Sequence, residues 1–218
     1  MIANISKRYA FVSHQRILDL VEGALAPLDV GPAPRGIYVD RAGARMRALY
    51  KFPALAEPVT RGDEICPCLK IQNTYDGTSR IAVHIGAFRF VCTNLAVGGG
   101  GVFAGGFMSV HAGEIPLEEV AAQLAQYLKE FAAIVRLYRS WSTRRLELEP
   151  LAAILAALPR RAREAIAGEI EATHAATVYA AYGVATDYAT HKTRSHRTAF
   201  ELLGRVNRGF QEAFAPEA

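Results

Sequence analysis

Residues 68–94 read CLKIQNTYDGTSRIAVHIGAFRFVCTN, and their alternation points to a sheet. Leu69 and Ile71 fall on one side of an extended chain, Lys70 and Gln72 on the other. After Asn73-Thr-Tyr-Asp76-Gly77-Thr78-Ser79 the alternation resumes, with Ile81, Val83 and Ile85 opposing Arg80 and His84. Period-two patterning on both sides of an Asp-Gly step predicts an antiparallel hairpin, because side chains alternate along a strand and glycine suits the turn. A third run, Phe88-Arg-Phe-Val-Cys92, follows Gly86 and is expected to extend the same sheet. The result is a β-meander with an unusually polar turn.

Toward the N-terminus, residues 6–13 are short and β-rich enough for a strand. Ser13 is placed to cap a helix over 14–26, with Ile17, Leu18, Val21 and Leu25 at helical spacing. Gly31-Pro-Ala-Pro34 breaks the chain. Residues 37–39 and 46–50 flank Asp40-Arg-Ala-Gly43, a second predicted hairpin, and residues 53–63 read as a loop. Gly98–Gly101 and Gly105-Gly106 form the most biased patch. It lacks the GxxxxGK[ST] of a P-loop and the βαβ setting of a dinucleotide fingerprint. It reads as a mobile loop or hairpin tip, with a backbone contact to nucleic-acid phosphates left open.

From Pro116 the period changes to that of a helix. Acidic residues at 118 and 119 complement the helix dipole, and Val120, Leu124, Tyr127, Leu128, Phe131, Ile134 and Val135 make an apolar stripe running to about residue 140 or 143. Further helices are expected at 148–158, at 159–174, through Tyr179, Tyr182 and Tyr188, and at 195–214. The predicted fold class is α+β, an antiparallel β-meander in the N-terminal half packed against a helical C-terminal half. No linker rich in Pro and Ser separates them, so one unit is expected over 1–218, β-rich over 1–113 and helical over 114–218.

A chain of 218 residues is long enough to bury a sizeable core, and 51% hydrophobic with 21% charged residues is ordinary globular composition. A net charge of +4 favours anionic partners only slightly. No signal peptide or run of about 20 apolar residues is visible, so a cytoplasmic protein without a membrane anchor is expected. Cys66, Cys68 and Cys92 form an odd set without paired CxxC units. With His111 they offer zinc donors in principle; buried free thiols are the simpler reading.

Candidates for catalysis are sparse. None of the six histidines lies in HExxH. Glu171-Ala-Thr-His174 has the Glu-x-x-His spacing of helical di-iron sites but lacks the second such pair that they require. There is no GxSxG elbow, and Cys92 sits in a predicted strand, away from any helix N-terminus that would lower its pKa. Asp76 is most simply a turn residue, with Asn73 closing an Asx-type bond. Enzyme is the weaker class, and no cofactor is required.

Basic residues are better organised than acidic ones. Arg136, Arg139, Arg144 and Arg145 gather toward the end of the long helix near Tyr138 and Trp141. Arg160, Arg161 and Arg163 open another helix, Lys192, Arg194 and Arg197 follow the tyrosine helix, and Arg205 and Arg208 close the set. Arginine neutralises phosphate and aromatic rings stack on unpaired bases, which together are what single-stranded nucleic-acid binding asks for. A solvated helical face with Trp141 and Tyr138 in the core is the competing reading.

Several of these segments together resemble a phage/plasmid-like family, domain of unknown function 932. Its members show an N-S-x-D-G-[ST]-S turn, an R-x-V-C-x-N segment and an H-[TS]-G element. Here NTYDGTS carries Asn73, Asp76, Gly77 and Ser79, the run RFVCTN carries Arg89 and Asn94, and His111-Ala-Gly113 follows. The segment TVYAAYGVATDYATH at 177–191 resembles the family's tyrosine helix, with Gly183 where Asn is frequent. The likeness spans residues 9–204 and implies association with mobile elements, without a named activity.

Two functional readings follow. The first is nucleic-acid binding in a phage or plasmid, by single-stranded DNA binding or annealing in recombination or replication, with homo-oligomers joined through strand edges. The arginines would hold phosphates while Tyr138 and Trp141 offer stacking faces. The alternative is a protein that binds and inhibits a host defence complex, of anti-restriction or anti-CRISPR type.

Overall fold

A computed structural model describes residues 11–31, 35–40, 42–77, 81–89, 95–96, 106–109, 117–193 and 196–215. The glycines 98–101, the run from Phe90 to Asn94, the turn residues 78–80 and the element 111–113 lie outside the described residues. So does most of the strand expected at 6–13, whose last three residues are not extended into a strand.

The sheet contains β1 (Arg35–Asp40), β2 (Arg45–Lys51), β3 (Glu57–Thr60), β4 (Asp63–Thr74), β5 (Ile81–Arg89), β6 (Leu95–Ala96) and β7 (Gly106–Ser109), all antiparallel to their neighbours. The order is β1-β2-β4-β5-β6, with β3 beside β4 and β7 beside β5. Because β4 is long, β2 pairs with its residues 68–74 and β3 with 63–65 along the same edge. β6 and β7 likewise share the outer edge of β5. Seven strands therefore fill five ranks.

Two expectations are corrected. Residues 53–63 are not a plain loop, since they contain a short 3-10 turn at Pro53–Leu55 and then β3. Gly86 does not divide two strands: it pairs with Cys68 inside a continuous β5, where an absent side chain interrupts the pattern but not the backbone ladder. The Asp-Gly hairpin is as expected, with Gly77 at φ 68°. In the β1–β2 turn Gly43 has φ 91° and donates its N–H to the Asp40 carbonyl at 3.1 Å.

Register places Met46, Ala48 and Tyr50 on one sheet face with Leu69, Ile71, Val83 and Ile85, and all seven are buried. Helix α1 (His14–Leu25) lies on that face. Ser13 caps it by accepting from the Arg16 N–H, and Ile17, Leu18, Val21 and Leu25 are its buried stripe. The Tyr50 hydroxyl ties the two layers by donating to Glu22 at 2.9 Å.

The helical half comprises α2 (Leu117–Thr143), α3 (Leu148–Ala156), α4 (Arg160–Ala172), α5 (Val178–His191) and α6 (His196–Ala213). α2 packs on α1, on β3 and on α5, which joins the two halves. α4 and α5 abut without merging. His174 takes a left-handed φ of 50° and donates to the Glu171 carbonyl, while the Ala175 N–H reaches back to Ile170. That is a Schellman ending, which satisfies carbonyls the helix leaves free. α3 and α6 approach so closely that a Cβ on Gly209 would lie 3.0 Å from Ile154 Cγ2.

Candidate functional site

The NTYDG motif builds a corner in which β4, the β1–β2 turn and the start of α1 meet. Asn73 belongs to β4 and is fully buried, so the Asx-type turn bond expected of it does not form. Its amide instead donates one hydrogen to the Val12 carbonyl and the other to His14 Nδ1, both at 2.9 Å. With Nδ1 accepting, the His14 ring carries its proton on Nε2 and donates to the Gly43 carbonyl at 3.0 Å. The ring stacks on Tyr75 with centroids 3.9 Å apart, and the His14 N–H donates to the Tyr75 hydroxyl at 2.5 Å. Burial pushes the His14 imidazole below its ordinary pKa, with the Gly43 carbonyl partly opposing. Asp76 pairs with Arg45 at 3.0 Å, and the Tyr75 N–H donates to Ala44. Asn73, Tyr75 and Asp76 thus fasten three elements, while Gly77 serves the turn. Ser79 and Asn94 lie outside the described residues, and only the backbone of Arg89 is described.

The tyrosine motif is equally internal. Thr177 caps α5 by accepting from the Ala180 N–H, and Tyr179 and Tyr182 are buried, Tyr188 partly so. The Tyr182 hydroxyl donates to Asn207 Oδ1 at 2.7 Å, so the Tyr138 hydroxyl, 2.9 Å away, donates to Tyr182. Burial pushes the Tyr138 phenol up to about 12, offset in part by Tyr182, so both hydroxyls stay protonated. Trp141 completes the seam. It is 1% exposed, it lies 5.2 Å from Tyr182 between ring centroids, and its indole N–H donates to the Phe214 carbonyl at 2.8 Å. This corrects the role expected of Tyr138 and Trp141. Neither presents a face to a base, because both rings lie in the core.

The basic residues divide into paired and unpaired ones. Arg139 donates to the Pro58 carbonyl and to Glu57, clamping α2 to β3. Arg144 reaches Glu147 and lies over the Phe214 ring. Arg160 pairs with Glu164. Arg136, Arg145, Arg161, Arg163 and Lys192 are exposed and have no carboxylate within ion-pair reach among the described residues. Arg194 lies outside the described residues, and of Arg197 only the backbone is described.

These cations do not form one patch. Bonds from Leu146 to Ala176 and from Val178 to Arg144 fix Arg144 and Arg145 at the link after α4. Arg161 and Arg163 are at the opposite end of that helix, about 20 Å away at 1.5 Å per residue. Arg205 joins them there by donating to the Ala157 carbonyl at 3.4 Å.

A further group escapes a reading by sequence proximity. On the sheet face opposite to α1, Tyr38 of β1 stands directly across from Arg47, and Lys70 of β4 lies diagonally from Arg47. Tyr38 is 62% exposed and Arg47 is exposed, while Lys70 is half-buried. The polar positions of the alternation were the available signal, but only the strand order brings 38, 47 and 70 together.

The candidate metal and nucleophile residues that are described do not gather in one place. Cys66 and Cys68 are fully buried, and burial pushes both thiols up, the opposite of what a nucleophile needs. Cys92 and His111 lie outside the described residues. Glu171 and His174 are both exposed and form a helix ending. Among the described residues no three His, Cys, Asp or Glu gather as ligands. No helix among them is long and apolar enough to cross a membrane.

Fold and surface together define an α+β protein in which Asn73 and the tyrosine helix hold the interior and the cations unpaired among the described residues lie outside. The chain belongs to the family described as Domain of unknown function (DUF932), which matches residues 2–213. Neither the curated proteins nor the solved structures contain a match to it.

Proposed function

We propose that the protein binds nucleic acid, single-stranded DNA first, in the recombination or replication of a mobile element. The observation that carries this reading is the start of α4. That turn has no side-chain cap and no acidic residue, yet Arg160, Arg161 and Arg163 crowd it. Cations at a helix N-terminus oppose the macrodipole, so an anion bound there would relieve an arrangement that costs the isolated protein stability. Arg161 and Arg163 have no carboxylate partner among the described residues, which leaves them available to phosphates. Self-association belongs to the same reading. β1 is the outermost strand of the path, with Ile37 and Val39 exposed, and an apolar strand edge favours pairing with another chain.

The test is anisotropy of a fluorescein-labelled thymidine 20-mer across a salt series, with wild type and the Arg161→Glu/Arg163→Glu variant. Glutamate suits a first helical turn, so the variant should melt no lower than wild type. We expect at least tenfold weaker binding and a salt slope shallower by about two, one for each phosphate no longer neutralised. No binding by the wild type at low salt would remove the proposal, and capture of a folded host protein without DNA would favour inhibition of a defence complex.

A further inference from the structure

With Trp141 and Tyr138 in the core, the nucleic-acid reading needs another stacking group. The sheet face opposite to α1 supplies one. Tyr38 stands across from Arg47 on adjacent strands, a spacing at which side chains of the same face touch. Tyr38 is 62% exposed, whereas Tyr50 on the other face is 2% exposed. Gly36, two residues before Tyr38 on the same strand face, adds no side chain to compete for the space.

Arg47 and Lys70 form a like-charge neighbourhood on this face. Neither has a carboxylate within ion-pair reach among the described residues. Lys70 is held below its ordinary pKa first by burial and then by Arg47. An exposed guanidinium beside a partly desolvated ammonium repels it, and a bound anion is the group that would reverse the sign. On this side of the sheet the accessible part is the β1–β2 edge and Lys70, with Lys51 farther along the same face of β2, while Gln72, Thr74 and His84 are buried. An exposed tyrosine beside adjacent cations suits an unpaired strand, since a base stacks on the ring while its phosphates meet the charges.

We infer that Tyr38, Arg47 and Lys70 bind one nucleic-acid strand across the sheet, Tyr38 stacking on a base and the two cations holding neighbouring phosphates. This inference rests on the nucleic-acid reading above and adds a second binding surface, distinct from the start of α4.

The same labelled 20-mer separates the two claims. Tyr38→Ala, Arg47→Ala and Lys70→Met are measured individually beside Arg161→Glu/Arg163→Glu. We expect Arg47→Ala and Lys70→Met each to weaken binding about five- to tenfold and to flatten the salt slope by about one. Tyr38→Ala should weaken binding at least about fivefold with the slope unchanged, because stacking releases no counterion. Lys70→Met keeps the volume and removes a repelled charge, so its melting temperature should equal or exceed that of wild type. This separates weakened binding from impaired folding. Wild-type binding with all three sheet variants unaffected would overturn the sheet site alone, and no wild-type binding would overturn both claims. Equal affinity for heparin, with Tyr38→Ala silent, would mark a general polyanion surface and overturn the stacking role.

Discussion

The corner around Asn73 is partly buried and the seam around Trp141 is closed to water, and different physics holds each. At the corner a few polar atoms are matched one to one. Asn73 gives both amide hydrogens, His14 must present a bare Nδ1, and Gly43 must receive Nε2–H. At the seam Trp141, Tyr138, Tyr182, Phe210 and Phe214 exclude water chiefly by area, and a large aromatic side chain removes about 150–250 Å² from solvent. The corner should therefore be sensitive to protonation and to single atoms, and the seam to volume.

The largest effect expected is at the seam. Trp141→Ala should cost about 3–5 kcal/mol, read as a fall in the urea midpoint with an unchanged m-value. Trp141→Phe should recover part of that stability, the remaining deficit reflecting a smaller ring and a Phe214 carbonyl left without its donor. If the two variants were equally unstable, volume would not be what holds the seam.

Asn73→Ala should come second, at about 2 kcal/mol. It strands the Val12 carbonyl and His14 Nδ1, while removing an Oδ1 that is itself buried without a partner among the described residues. Asn73→Asp should be no better, because a carboxylate cannot donate to either group. Full stability of the aspartate variant would show that the amide hydrogens do not matter.

The smallest effect separates the two regions by pH. The folded His14 imidazole lies below the ordinary 6.5 because burial disfavours its charge. The unfolded chain therefore takes up the proton first. Stability should be complete above about pH 6.5, fall as the pH drops below it, and level off under the lowered folded-state value. Urea melts at about pH 7.5 and pH 5.5 should show this decline in wild type and a smaller one in His14→Phe. Identical declines would place the titrating group elsewhere. The seam phenols, held protonated by burial, should contribute nothing across that window.

Much of the fold was legible because local rules acted on short segments. Ser13 ahead of an apolar stripe marked α1, the period change after Pro116 marked α2, and Asp76-Gly77 marked the β4–β5 hairpin. Less of the candidate site was legible. Arg161 and Arg163 stood out because a helix start punishes basic residues. Arg139, Arg144 and Arg160 looked equivalent to them, but carboxylates meet each in the folded chain, at Glu57, Glu147 and Glu164. The Glu147 and Glu164 pairings were visible as i+3 and i+4 spacing, whereas Glu57 is 82 residues from Arg139. β3 escaped notice since four residues containing Pro58 carry almost no alternation, and pairing with β4 supplies what propensity does not.

By itself the sequence determined the α+β class, the hairpins, the approximate positions of the helices and the excess of positive charge. Each depends on residues within a few positions of one another, through side-chain alternation, capping or helical period. Tertiary structure alone decided that Trp141 and Tyr138 are core, that Asn73 serves α1 instead of its own turn, and that Tyr38, Arg47 and Lys70 share one face. Those outcomes depend on which strands pair and which helix covers which face. That choice is made by burial of the whole apolar surface at once, a quantity that no short segment contains.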